Sequence, residues 1–198
     1  MLINYKAFPR TISTVCICTI ITIMADSILD SEQTVEDWLN TQGDERYELI
    51  DGELYMMSPP LVEHQEISMN IFLQFSAYFK GKTCKPYYAP IGVRLCKAGK
   101  EKILQPDLLV LCDTSKIEKR YINGAPDLVV EIVSESSKKD DKVLKMMIYK
   151  EAGVKEYWVV DGNRIIRFWF EKDETTMLID TVESRIFEGL VVDVSNEV

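Results

Sequence analysis

Two carboxylates in this sequence stand where chemistry is more plausible than solvation. Glu131 lies inside LVVEIVS, residues 128–134, a run otherwise dominated by Val, Ile and Leu. Such a short β-branched run reads as a strand covered on both faces. A carboxylate there must find a partner, take up a proton or meet a cation. Asp107 belongs to Pro106-Asp107, which opens a second apolar run, DLLVLCD. If the two runs are neighbouring strands, about 4.8 Å apart, Asp107 and Glu131 converge. Converging carboxylates repel and call for positive charge. An oxygen-rich pair suits a hard ion, Mg²⁺ or Mn²⁺. Asp after Pro is equally a common way to end a turn, so spacing alone leaves Asp107 open. A second pair, Pro126-Asp127, precedes the Glu131 strand. Asp127 lies about 13 Å from Glu131 along an extended chain. That is too far to share an ion, and Asp127 reads as the residue that opens the strand.

Other chemistries are narrowed by composition. His64 is the only histidine. A multi-histidine zinc site is therefore excluded within one chain, and a Ser–His or Cys–His mechanism would have to run through His64. At the start of a long helical stretch, His64 could contact a phosphate, support a site or simply sit half-exposed. The five cysteines, Cys16, Cys18, Cys84, Cys96 and Cys112, form no CxxC. Their odd number and lack of a paired framework suggest reduced thiols in a cytoplasm. The net charge of −9 argues against a general nucleic-acid coating protein but allows a local basic groove.

The 198 residues suit one domain with its own core. Residues 1–25 are set apart: Lys6 and Arg10 precede an apolar, threonine-rich run that is short for a membrane span. Met24 offers an alternative start, and the favoured reading is an over-long extension, a signal or anchor being the other. Residues 26–198 are expected to form the single domain, with no stable membrane association.

Coarse structure follows from periodicity. Ser31 or Thr34 can cap a short helix through VEDWLN, closed by Gly43. Asp51-Gly52 between strand-like runs marks a hairpin. Residues 61–79 carry Ile67, Ile71, Phe75 and Tyr78 at helical spacing. KPYYAPIGVRLC is interrupted by Pro90, and so is bent or at an edge. Residues 137–152 read as a helix, closed by Gly153. KEYWVVD and RIIRFWF flank an Asp161-Gly162 turn. The aromatic group Trp158, Phe168, Trp169 and Phe170 either covers the sheet or forms a homodimer face, core being favoured. The simplest architecture is α/β, one mixed central sheet flanked by helices.

A Pro-Asp before one strand and an acidic residue on the next resembles the core of the PD-(D/E)XK nucleases, although Val133 stands where that pattern has lysine. YELIDGELYMMSPP, His64, GVRL, QPDLLVL and EIVSESSKKDDKVLKMMIYKEAGVKEYWVVD together are similar to the Uma-two family of restriction-endonuclease-like proteins. The resemblance spans about residues 34–170. It implies a restriction-endonuclease-like fold and a metal-dependent endonuclease acting on DNA. It further implies that Asp107, Glu131 and the backbone carbonyl of Ile132 hold Mg²⁺ (or Mn²⁺). By the same resemblance the lysine has moved to the following helix, where Lys145 matches. Asp141, Lys145 and Tyr149 share one helix face, and Leu144 and Ile148 beside Lys145 would pack inward. Without the resemblance, Lys145 reads as a solvated partner of Asp141. Glu48 in ELIDGE could assist as an outer ligand or be a surface strand residue. Gln105 matches a polar position that could touch substrate. Local positives for DNA are sought at 137–142 and at Lys80, Lys82 and Lys85. The alternative is a non-catalytic binding or scaffold protein on the same fold.

Overall fold

The first element, α1 (Val35–Asn40), begins where Thr34 and Asp37 satisfy each other's backbone N–H groups, the Asp37 carboxylate accepting at 2.8 Å. The computed structural model describes residues 32–41, 43, 45–97, 100–133 and 139–195, with the side chains of 97 and 139–142 outside that description. The segment 1–25 and the basic run at 137–142 therefore lie outside what is described. Residues Gln33–Val198 form one compact unit. Among the described residues no helix is long and apolar enough to cross a membrane.

After α1 come β1 (Tyr47–Ile50) and β2 (Glu53–Met56). Asp51 and Gly52 both take positive φ, 51° and 83°, as a two-residue hairpin turn requires. α2 (Val62–Phe79) follows, burying Ile71, Phe75 and Phe79. The chain then runs through β3 (Lys85–Tyr88), β4 (Gly92–Lys97), β5 (Lys100–Leu104), β6 (Leu108–Leu111), β7 (Tyr121–Asn123) and β8 (Leu128–Ile132). α3 (Lys139–Ala152) connects β8 to β9 (Glu156–Asp161), and β10 (Arg164–Trp169), β11 (Glu174–Ile179), β12 (Thr181–Glu183) and β13 (Val191–Asp193) complete the unit.

The α/β class and mixed pairing are present. The strands that read as one sheet, however, divide between two, ordered β2-β1-β5-β4-β7 and β11-β10-β9-β8-β6-β3, with β12 and β13 as a separate pair. The cis Ala89–Pro90 bond lies between β3 and β4, which enter different sheets. The Pro90 interruption thus marks a change of sheet rather than a bend within one. In the larger sheet the parallel pair β8–β9 is joined through α3, the usual crossover for parallel strands.

Alternation along β6 and β8 distributes the core. Leu108, Val110, Leu128, Val130 and Ile132 pack with α2 and the β12–β13 pair. Leu109, Leu111 and Val129 pack with Ile148 and Tyr149 of α3 and with Val93, Leu95 and Leu104 of the smaller sheet. Residues 107 and 131 share the parity of this second face. Trp158 is fully buried, and Phe168 and Phe170 pack against Tyr157, so these aromatics belong to the core.

The expectation of reduced thiols is corrected at one pair. Cys84 and Cys112 form a disulfide. Lys85 pairs with Leu111, so the two cysteines fall opposite each other at the ends of β3 and β6. Sequence spacing carries no trace of this, because the register of β3 on β6 creates it. The cytoplasmic reading loses the support it drew from free thiols.

Gly92 opens β4 against the buried indole of Trp38. A Cβ at Gly92 would lie 2.6 Å from Trp38 Cη2 and 3.3 Å from Ile103 Cγ2. The indole is held by its N–H donating to the Tyr47 carbonyl at 2.6 Å. Gly92→Ala is expected to destabilise the unit by about 1–3 kcal/mol through overpacking, read as a lowered urea midpoint.

Candidate active site

Strand register brings the two acidic candidates together. Leu108 pairs with Val130 in antiparallel β6–β8, so Asp107 and Glu131, one step further, face each other across the ladder. Their shared parity puts them on the α3 side of the larger sheet. Asp107 is fixed by two contacts. Its Oδ2 accepts from the Ile132 backbone N–H at 2.7 Å and lies 3.2 Å from His64 Nε2. His64, from the first turn of α2, therefore sits against Asp107. Its Nδ1 is buried without a hydrogen-bond partner among the described residues.

Lys145 enters from α3. Its side chain is 10% exposed, with Nζ 2.9 Å from Glu48 Oε1 and 3.7 Å from Glu131 Oε1. Four residues on, fully buried Tyr149 donates its hydroxyl to Glu131 Oε1 at 2.8 Å. The i, i+4 spacing of Lys145 and Tyr149 lets one helix face serve one carboxylate. Leu144 does not pack inward as expected: it is 41% exposed, and Ile148 alone of the two is buried. The side chain of Asp141 lies outside the described residues, so the proposed Asp141–Lys145 pair is not described.

Glu48 is 5% exposed and so is not a surface strand residue. Its Oε1 also accepts from the Gln105 backbone N–H at 2.9 Å. Leu49 pairs with Ile103, which brings Glu48 beside the end of β5 where Gln105 begins. Gln105 is itself 3% exposed, and its side-chain Nε2 donates to the Tyr47 carbonyl at 2.9 Å. Asp127 has a structural task, as the sequence suggests: Oδ2 accepts from Cys112 N–H, and Oδ1 pairs with Lys155.

The site is short of positive charge. Glu48 and Glu131 meet the Lys145 ammonium, and Asp107 adds its charge beside Glu131, in a place water barely reaches. Burial pushes Glu131 up to about 8; Lys145 pulls it down, while Asp107 and Glu48 push it further up. Burial first, and then the adjacent Glu131 and Glu48, holds the Tyr149 hydroxyl well above its ordinary value. Among the described residues, no set of three His, Cys, Asp or Glu side chains closes on one point. Any ion held here would need backbone or water oxygens as well.

Sequence reasoning missed two parts of this arrangement. Tyr149 was placed on the right helix face but given no task. The Glu48–Lys145 pair joins residues 97 positions apart. Its one signal was a glutamate in a strand that otherwise reads as buried.

Comparison with known proteins places this geometry in context. A family model described as "Putative restriction endonuclease" (Uma2) matches residues 32–195. An uncharacterized protein of Synechocystis is 24% identical over 137 residues, covering 68% of this chain and 71% of its own. A crystal structure from Anabaena variabilis, described as a "putative nuclease belonging to DUF820", superposes with a TM-score of 0.67 at 16% identity, covering 81% of this chain and 94% of that one. At that identity the likeness establishes the fold.

The raised Glu131 group carries a sign. Its folded value, about 8, exceeds its ordinary 4.5, so its contribution to stability is present below about pH 4.5 and is lost as pH rises through about 8. Glu131→Gln cannot ionise and escapes that loss. Its urea midpoint relative to wild type, in chelator, should rise between about pH 5 and pH 9. A constant difference across that range would show that Glu131 titrates normally.

Proposed function

The chain belongs to the Uma2 family, and from that premise we propose that it is a metal-dependent endonuclease hydrolysing DNA phosphodiester bonds. One observation supports this most: Asp107 and Glu131 face each other from neighbouring strands, with the Lys145 ammonium 3.7 Å from Glu131.

The donor set fits a small hard cation. It consists of carboxylate oxygens, and its negative charge exceeds what Lys145 offsets. Asp107, Glu131 and the backbone carbonyl of Ile132 would hold Mg²⁺ or Mn²⁺. When bound, such an ion supplies Lewis-acid chemistry, making water a better nucleophile and offsetting charge on the phosphate oxygens.

The chain's own groups do the remaining work. Lys145 orients the attacking water or stabilises the charge of the pentavalent phosphate. Glu48 holds that ammonium in place, and its buried bond to Gln105 N–H ties the pair to the end of β5. Tyr149 fixes the Glu131 carboxylate through Oε1. His64 and the Ile132 N–H together fix Asp107 Oδ2. The Val133 departure from the nuclease pattern is thus compatible with the chemistry, because an ammonium reaches the site from α3. DNA must approach an acidic chain, so binding should weaken steeply with salt.

Asp107→Asn keeps an acceptor for the Ile132 N–H while removing the charge. It is expected to weaken Mn²⁺ binding about tenfold or more by calorimetry. Mn²⁺-dependent plasmid cleavage should fall about a hundredfold or more. Undiminished cleavage by the purified variant would refute the assignment. Salt-sensitive DNA binding by the wild type, with neither metal uptake nor cleavage at millimolar metal, would instead favour the non-catalytic scaffold.

A further inference from the structure

Beside the acidic cluster lies a second feature that the hydrolytic reading leaves unused. It is a cavity of about 260 Å³, walled by Trp38, Tyr87, Tyr121, Gln105, Lys119 and Arg120 among others. Its size is near the small end of ligand-binding cavities.

Shared backbone groups connect it to the site. The Tyr47 carbonyl accepts from both Trp38 Nε1, at 2.6 Å, and Gln105 Nε2, at 2.9 Å. The next residue is Glu48, which holds Lys145. Gln105 lies two residues before Asp107. Pro90, also on the wall, follows Ala89, whose N–H donates to the Asp107 carbonyl at 2.9 Å.

The chemistry of the walls is specific. Tyr87 and Tyr121 are half-buried aromatic rings. Gln105 Oε1 is buried and has no hydrogen-bond partner among the described residues. Its orientation is fixed, because a flipped amide would set oxygen against the Tyr47 carbonyl. Lys119 and Arg120 are exposed on this rim beside Glu118, which leaves the rim positive by one charge in a chain whose net charge is −9. Arg120 is steadied by donating to the Leu39 carbonyl at 2.8 Å. Aromatic walls and a positively charged rim match a nucleotide: a planar base inside and a phosphate outside.

We propose that this cavity takes one unstacked nucleobase of the DNA strand that the acidic cluster cleaves, with Lys119 and Arg120 on its phosphate. The proposal rests on the nuclease reading for the source of the base. Extrusion of a base costs stacking energy and is how a protein brings a single base out of the stack into an enclosing pocket. Gln105 is then the residue that places the strand, touching substrate in the cavity with its side chain and bracing Glu48 with its backbone.

The test uses the full chain in chelator, so that its readout is independent of cleavage. Ile117 lines the cavity and is 42% exposed, so Ile117→Trp should narrow it without disturbing the core. Titration with dAMP, followed by protein NMR, should show saturable millimolar binding by wild type. Binding should be about tenfold weaker in Ile117→Trp and in the Lys119→Ala/Arg120→Ala double variant. A short single strand containing 2-aminopurine should change its emission on binding wild type and not on binding Ile117→Trp. Absence of dAMP binding up to about 10 mM, or equal binding by wild type and both variants, would overturn the proposal. Binding of dAMP without any 2-aminopurine response would overturn the strand-derived base. Plasmid cleavage, measured separately with Mn²⁺, separates the two readings: a cleaving protein that ignores dAMP loses the cavity, and a dAMP-binding protein that never cleaves loses the nuclease.

Discussion

Two carboxyl groups share one ammonium, with a third carboxyl beside them, in a space that the fold largely closes to water. Glu131 and Glu48 come from two strands, Asp107 from the position just before a third, and Lys145 from the helix that covers them. In bulk water such a grouping would be held weakly and screened. In an enclosed site the Coulomb terms grow, and so does the penalty for any charge left unmatched. The imbalance is visible in Glu131, pushed up to about 8 chiefly by its own burial. A stable protein has little reason to gather such a surplus for its own sake. A site that must attract a cation and then a phosphate has a clear one.

The rest of the fold can be understood as what makes that gathering possible. Antiparallel pairing of β6 and β8 sets residues 107 and 131 opposite each other, and strand alternation aims both toward α3. The crossover through α3 returns the chain over that same face, carrying Lys145 and Tyr149 one turn apart. The second sheet supplies Glu48, and the β1–β5 register sets it beside Gln105. The apolar partition of the core keeps these elements in place: alternate residues of β8 pack on α2, while Val129 packs with α3 and the smaller sheet. A one-residue slip of β8 would turn Glu131 into the α2 core and break the site.

Much of this was legible in local pattern. The Asp51-Gly52 hairpin, the helix over residues 62–79, the β6 and β8 runs and the Asp161-Gly162 turn all follow from short-range signals that survive packing. What periodicity could not show was the partition of strands between sheets. A strand of either sheet has the same alternation, and only its neighbours distinguish them. The disulfide was hidden for a related reason. Cys84 and Cys112 are 28 residues apart, and their proximity is a consequence of strand register. Leu144 misled because an apolar residue on an amphipathic helix need not lie on its covered side.

By itself, the sequence determined which residues carried unusual chemistry for their surroundings: a glutamate in an apolar strand, an aspartate opening another and a lysine among helix apolars. Those are properties of residue type and immediate context, readable along a line. Tertiary structure alone decided that the lysine binds Glu48 more closely than Glu131, that His64 sits against Asp107 and that a cavity of about 260 Å³ opens beside Gln105. Each of these depends on distances between segments far apart in the chain, which strand register and the crossing of α3 over the sheet establish and no local pattern encodes.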